Sequence, residues 1–150
     1  MVYWPKIVVV KIILLCIAPG IFSQDEQTGE IQIEISGIRN EKGDMKISLF
    51  DRADPFPGDH EQAVGRIITE IEGPTASAVF KSIPYGEYAV SVMHDENNNF
   101  ILDSNWLGIP REGYGASNNP PRRMGPPRYD DARFSLRQPR MSLTIKMVYF

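Results

Sequence analysis

Alternation of apolar and polar residues over most of the chain constrains its fold more than any other feature. In residues 30–38, for example, Ile31, Ile33 and Ile35 are separated by single polar residues. Seven runs of this kind cover residues 30–38, 44–50, 65–73, 76–80, 86–94, 132–136 and 141–150. A repeat of two residues puts alternate side chains on opposite faces of an extended chain. The pattern therefore predicts seven half-buried β-strands.

The segments between these runs carry turn residues, as at 40–43, 73–74 and 84–86. Helix signals are weak, and the one candidate is a short turn at residues 59–65. Each strand has one apolar face, which must be buried against another layer. We therefore predict an all-β fold, an antiparallel seven-stranded β-sandwich of Ig-like type. A small β-barrel is the alternative.

The N-terminal segment has the order of features found in secretory signal peptides. Lys6 and Lys11 supply positive charge, and residues 7–17 are apolar apart from Lys11. A helix-breaking Ala-Pro-Gly at 18–20 and the small residue Ser23 follow. This order of charge, apolar core, breaker and small residue predicts export.

We therefore predict a signal peptide at 1–23 and a single mature domain at 24–150, in the periplasm or outside the cell. A retained anchor is the alternative, but the apolar run is shorter than the roughly 20 residues of a membrane-spanning helix. The mature domain should have no integral membrane segment. The only cysteine, Cys16, would leave with the signal, so the mature fold should contain no disulfide.

Charge is unevenly distributed along the chain. Residues 1–110 contain 8 Lys and Arg against 16 Asp and Glu, whereas residues 111–150 contain 8 against 3. No dense basic run is present and the total is acidic, which excludes nucleic acid as the expected partner. The two parts of the chain are expected to attract each other.

One long segment, residues 95–131, does not follow the alternating pattern. It is rich in Asn, Gly and Pro, yet it also contains large apolar residues such as Phe100 and Trp106. Disordered segments usually lack such residues, and long loops within compact domains are often functional. We therefore predict one long ordered loop that packs on the sandwich and carries the function.

The strongest motif in this loop is an alternation of oxygen-bearing residues. Asp95, Asn97, Asn99 and Asp103 occupy positions 1, 3, 5 and 9, and the carbonyl of Ile101 stands at position 7. This is the ligand spacing of an EF-hand-type calcium loop, because Ca²⁺ takes many oxygen ligands from a tightly coiled backbone. The spacing predicts a metal site with calcium as its cofactor.

Two positions depart from the EF-hand pattern. Phe100 stands where a glycine makes the sharp turn, and Trp106 stands where a glutamate binds through both oxygens. Asn98 or Asn99 could instead adopt the left-handed backbone conformation, which Asn tolerates well.

Asn105 or Glu112 could complete the ligand shell in place of the missing glutamate. The alternative to a metal site is an Asn-rich turn that bonds its own backbone. Even a bound cation could serve only to order the loop.

Evidence for catalysis is weaker. His94 precedes Asp95 and could act as a general base in a hydrolase, together with Asp95 or Glu112. Such a histidine is more often packed and bonded to the backbone. Ser117 lacks the motif of a nucleophilic serine. We therefore predict a protein that is not an enzyme.

Two aromatic residues of the loop, Trp106 and Tyr114, could form a stacking platform for a carbohydrate. The interpretation we favour is that they tether the loop to the sandwich. A protein partner is the other possibility. Three arginines among prolines, Arg122, Arg123 and Arg128, could meet an anionic ligand or pair with the acidic part of the chain.

The chain resembles a family of exported bacterial proteins, domain of unknown function family 2141. The resemblance rests on segments 56–57, 63–64, 83–90, 94–97, 102–105, 108–110, 112–115, 117–118, 125–127 and 132–134. In that family the loop commonly reads HDENGNGKLD, so Asn98 and Phe100 replace two glycines here. The resemblance implies an exported β-domain but no particular activity. The stretch around Pro84 is also similar to transthyretin-like sandwich modules, which are mostly not enzymes.

Overall fold

A computed structural model describes residues 27–123 and 125–150. Within them the chain forms eight strands, a 3-10 turn at His60–Gln62 and one short helix, α1, at Tyr129–Ala132. The strands are β1 Thr28–Ser36, β2 Asp44–Phe50, β3 Gly65–Thr69, β4 Thr75–Pro84, β5 Gly86–Asp95, β6 Gly113–Ala116, β7 Phe134–Leu136 and β8 Arg140–Lys146. The predicted signal peptide, residues 1–23, lies outside the described residues.

The strands form two sheets. One has three strands in the order β4-β1-β8, and the other has five, in the order β3-β2-β5-β6 with β7 also paired to β5. The all-β prediction is confirmed. The predicted count of seven was too low, because β6 lies in the segment expected to be a loop. The sandwich is also not purely antiparallel, since β8 pairs with β1 in parallel.

The main core lies between the two sheets and contains the alternating residues. Ile31, Ile33 and Ile35 of β1 are at most 1% exposed, and they belong to one cluster with Ile47 and Leu49 of β2. Burying an isoleucine contributes about 1.5–3 kcal/mol relative to leaving it exposed. The apolar stripe read from the sequence is thus the inner face of the sandwich.

A second, smaller cluster lies outside the main core. Phe50, Phe56, Ala89, Ala116 and Ala132 are all buried in it. It explains why β2 and β5, unlike β1, are buried along most of their length. The five-stranded sheet therefore has apolar cover on both faces, and its central strand β5 is a rigid base for the loop that follows it.

No helix in the described part of the chain is long and apolar enough to cross a membrane.

Candidate binding loop after strand β5

The candidate site begins where β5 ends. His94 follows Val90 and Val92 on the inward face, and its side chain is fully buried. One ring nitrogen, Nε2, donates to the carbonyl oxygen of Lys42 at 2.8 Å, and Nδ1 lies 2.8 Å from the hydroxyl of Tyr149. Burial raises the pKa of that tyrosine hydroxyl. Both nitrogens are thus engaged inside the protein, an arrangement that does not suit proton exchange with a substrate.

Asp95 is buried as completely as His94 and organises the loop backbone. Its Oδ1 accepts the N–H of Asn99 at 3.0 Å, and its Oδ2 accepts the N–H of Phe100 at 2.9 Å. A buried carboxylate is costly unless its oxygens are satisfied. The Asp95 carboxylate therefore holds the sharp turn at the centre of the loop through these two hydrogen bonds.

Lys46 supplies the positive charge next to this carboxylate. Its Nζ lies 3.7 Å from Asp95 Oδ2, donates to Asn98 Oδ1 at 3.2 Å and stands 4.4 Å from the centre of the Phe100 ring. The lysine is only 7% exposed, although its position in β2 predicted a solvated outer face. The alternation in 44–50 gave no signal of this burial, which follows from the contacts of Lys46 with Asp95, Asn98 and Phe100.

The turn itself uses left-handed backbone conformations at the two positions where the family pattern has glycine. Asn98 has a φ of 57° and Phe100 a φ of 63°. The expectation that Asn98 or Asn99 would adopt this conformation is confirmed for Asn98. The left-handed conformation is sterically strained for Phe100, because it has a Cβ atom, whereas glycine adopts it without strain.

Three of the predicted metal ligands converge on the solvent side of the loop. The side-chain amide of Asn97 donates to Asp103 Oδ2 at 2.7 Å, and that of Asn99 lies 3.3 Å from both Asp103 oxygens. Asp103 has no ion-pair partner among the described residues. The oxygens of the two amides face the backbone, because Asn97 Oδ1 accepts the N–H of Asn99 at 3.2 Å and Asn99 Oδ1 accepts that of Ile101.

The donor set is smaller than that of an EF-hand. Asp95 is turned away into the backbone, and Ile101 donates its N–H to Asn99 Oδ1 at 2.8 Å. No group of three or more His, Cys, Asp or Glu side chains with metal-binding geometry occurs in residues 27–123 and 125–150. A cation beside Asp103 would require both amides to leave these backbone bonds and turn their oxygens toward it, so the cluster suits at most a weak hard-cation site.

Glu112 joins the two ends of the loop. It is 5% exposed, and its oxygens accept the N–H of Glu96 at 2.9 Å and the N–H of Asp103 at 3.0 Å. Asn105 instead closes a neighbouring turn, since its Oδ1 accepts the N–H groups of Leu107 and Ile109. Neither side chain lies in the Asn97–Asn99–Asp103 cluster by these contacts.

A polar cleft of about 430 Å³ adjoins the loop. Its lining includes Arg39, Lys42, Glu96, Asp103, Arg111 and Glu112, but neither His94 nor Asp95. A hydrolase centred on His94 would need that side chain to face such a cleft. Glu112 therefore lines the cleft, whereas His94 does not.

The apolar residues of the loop point outward, contrary to the expectation that they tether it. Trp106 is 89% exposed, and five other large apolar side chains of the loop are at least 36% exposed. We call this set the apolar tip: Phe100, Ile101, Leu102, Trp106, Leu107 and Ile109. The prediction was wrong for Trp106, because polar bonds from Asp95, Glu112 and Asn105 hold the loop instead.

Trp106 and Tyr114 do not form a joint platform. Tyr114 lies in β6, is half-buried and stacks on Phe150 with ring centres 6.1 Å apart and planes at 24°. No ring contact joins Trp106 to Tyr114 within the described residues. Any stacking partner at the tip would therefore meet Trp106 alone.

His60, the other histidine of the chain, lies in the 3-10 turn and is not simply solvated. This side chain is half-buried, and its Nδ1 lies 2.9 Å from the hydroxyl of Ser48. Burial, followed by the positive charge of Arg66, lowers its pKa below the usual value. Ser117 is also internal, because its hydroxyl donates to the Ala132 carbonyl at 2.6 Å.

Comparison with known proteins agrees with the resemblance seen in the sequence. A family model described as an uncharacterised protein conserved in bacteria, DUF2141, matches residues 33–144. The chain belongs to this family. No curated protein and no solved structure matches the sequence. The likeness to transthyretin-like modules therefore stays a prediction.

Proposed function

We propose that this member of the DUF2141 family is an exported, non-enzymatic binding module that contacts its partner through the apolar tip. One observation carries the proposal: six large apolar side chains are exposed on a loop whose backbone is pinned by buried carboxylates. Isolated exposed apolar residues are common, but six large ones within residues 100–109 of one loop favour an interaction site.

The rigidity of the loop supports binding. Ordering a flexible loop on association costs free energy, and a loop that is already fixed avoids that cost. Asp95 and Glu112 each satisfy two backbone N–H groups, so they fix the base of the tip at four points. An exposed tryptophan is also among the residue types that contribute most to binding energy.

The burial of His94 supports a role other than catalysis. Its ring is held by Lys42 and Tyr149, and it does not line the adjoining cleft. We assign it the structural role of joining the end of β5 to the 40–43 turn and to the segment after β8.

Calcium is part of the proposal as a stabiliser of the loop. The cluster of Asn97, Asn99 and Asp103 would hold it once the two amides turn their oxygens toward the ion, with the Asp103 carboxylate, which has no ion-pair partner among the described residues, as the charged ligand. Lys46 already compensates Asp95, so the ion adds order on the solvent side only. The calcium dependence of the melting temperature tests this part.

The tip is tested by photo-crosslinking in bacteria that export the protein. A photoreactive residue replacing Leu107 should give a discrete adduct, whereas one replacing Ile68, which is 54% exposed on β3, should not. Trp106→Ser should abolish the adduct, because it removes the largest exposed apolar surface. The same adducts from both positions, or an adduct indifferent to Trp106→Ser, would contradict the proposal.

Carbohydrate binding is the second candidate, favoured by the 89% exposure of Trp106. Sugar rings stack on exposed indoles, and a single ring suffices for a terminal sugar. A glycan array probed with the wild type and with Trp106→Ala separates this candidate from a protein partner. Binding of the wild type to a defined glycan, lost in Trp106→Ala, would support carbohydrate binding. The absence of glycan binding would contradict it and favour a protein partner, identified by the crosslinked adduct.

A further inference from the structure

A second cleft, separate in its residues from the loop, carries an excess of positive charge. It has a volume of about 310 Å³ and lies between Tyr114–Ala116 of β6, the chain at 146–148 and a proline-rich segment. Its lining contains four cationic side chains and one carboxylate: Arg122, Arg123, Arg128 and Lys146, with Asp131. We call this the basic cleft.

The single carboxylate does not neutralise the cleft. Arg128 takes both oxygens of Asp131, at 3.0 Å and 3.3 Å, and Arg123 reaches the same group at 3.4 Å. One negative charge is therefore shared by two guanidinium groups. The remaining formal positive charge must be met by solvent or by a ligand.

The other two cations of the cleft have no carboxylate partner. Lys146 makes no ion pair with any described residue, and its backbone N–H is bonded to Asn119 Oδ1 at 2.7 Å. Arg122 stands over the ring of Phe150, 5.7 Å from its centre. Phe150 itself stacks on Tyr114, so the guanidinium is held at the cleft by an aromatic pair.

The walls suit a small organic molecule as well as an anion. Pro120, Pro121, Pro126 and Pro127 line the cleft together with Met147 and Val148. Proline fixes its own backbone, so these walls lose little freedom when a ligand binds. A volume of about 300 Å³ is at the lower end of the range for small-molecule sites.

We propose that the basic cleft binds a small anion with at least two negative charges on phosphate or carboxylate groups. Guanidinium groups recognise both groups by paired hydrogen bonds, and the surplus of cations favours an anion with more than one charge. This site shares no lining residue with the apolar tip, so the proposal stands or falls independently of the proposed function.

The test is calorimetric titration of the mature protein with pyrophosphate and, separately, with citrate. Both carry several charges, and the stronger response distinguishes a phosphate site from a carboxylate site. We expect the double variant Arg122→Gln, Lys146→Gln to weaken binding by about a hundredfold, since the loss of each charged hydrogen bond weakens binding roughly tenfold. Asp131→Asn should strengthen it by removing the one competing carboxylate.

A control with the same change in net charge is Arg52→Gln, Arg66→Gln. Both arginines are exposed, lie outside the cleft and pair with Asp51 and Glu61. Binding that persists in this control but falls in the cleft variant supports the proposal. No binding of either anion, or equal weakening in both double variants, would overturn it, since equal weakening indicates non-specific attraction to surface charge.

Discussion

Two residues of the loop adopt the left-handed backbone conformation although neither is a glycine, the residue that usually adopts it. They are Asn98 and Phe100, which occupy the two glycine positions of the HDENGNGKLD pattern. Asn98 has a direct compensation, since its side chain accepts a hydrogen bond from Lys46. Phe100 has a weaker one, because its ring packs against the same ammonium group while remaining 64% exposed.

The backbone cost at Phe100 can be measured with two variants. Phe100→Gly and Phe100→Ala both lose the ring contact, but only glycine relieves the left-handed conformation. We expect the glycine variant to be more stable than the alanine variant by about 1 kcal/mol in denaturant unfolding. At Leu102, which has no positive φ, the order should reverse. An alanine variant as stable as the glycine variant at position 100 would disprove the strain.

Residue patterns predicted where the loop begins, but they did not predict that the charged side chain of Lys46 would be buried under it. The alternation placed His94 on the inward face, and the oxygen spacing located the loop that Asp95 begins. Nothing in the sequence showed that Lys46 would fold under the loop, because alternation predicts only which face of a strand a side chain takes. Its burial depends on the loop crossing over β2, which is a property of the tertiary structure.

At the scale of elements, the loop and the strand after it form one unit. Glu112 bonds the backbone at Glu96 and Asp103, and β6 begins at the next residue, Gly113, paired with His94. The loop is therefore closed by a strand pair and by a carboxylate at the same place. A cation at Asp103 would strengthen a loop that is already formed.

We expect calcium at about 10 mM to raise the melting temperature of a protein comprising residues 24–150 by roughly 5 °C, the effect of a site with millimolar affinity. Asp103→Asn should remove the rise, because it removes the only charged ligand of the cluster. Glu41→Gln, at an exposed acidic residue outside the cluster, should keep it. The proposal fails if the wild type shows no rise, or if both variants lose it equally.

Strand β6 also shows why element prediction failed here. Its four residues include Gly113 and Gly115, and glycine normally weakens a strand. A Cβ at Gly113 would lie 2.2 Å from the Tyr149 ring, and one at Gly115 would lie 2.8 Å from an Ile145 methyl group. Both glycines are needed because the end of β8 and the chain after it pass closely over β6. The alternating pattern could not predict β6, because this strand is marked by glycines that allow close packing and not by alternating apolar residues.

At the scale of the whole molecule, stability should depend on pH through His60. The folded state lowers the pKa of this side chain, mainly by burial. The unfolded chain therefore takes up the proton first as pH falls below about 6.5. The stability contributed by neutral His60 is present above that pH and is lost as pH falls through the lower pKa of the folded state.

We therefore expect the free energy of unfolding to fall between pH 7.5 and pH 5.5 more in the wild type than in His60→Asn. Asparagine can retain a bond to Ser48 but does not titrate. Urea unfolding at the two pH values measures the difference. An equal fall in both proteins would show that other groups, which titrate in both, account for the pH dependence.

The parallel pairing of β1 with β8 joins residues that are 110 positions apart in the chain, as in the bond between Ser142 and Gln32. Because β1 is the middle strand of its sheet, that sheet is incomplete until the last strand has arrived. Contacts of such long range slow folding, since the chain must close a large loop before they form. The three-stranded sheet is therefore expected to form late in folding, and late folding would suit the export that we propose, because a chain crosses a membrane more easily before it has folded.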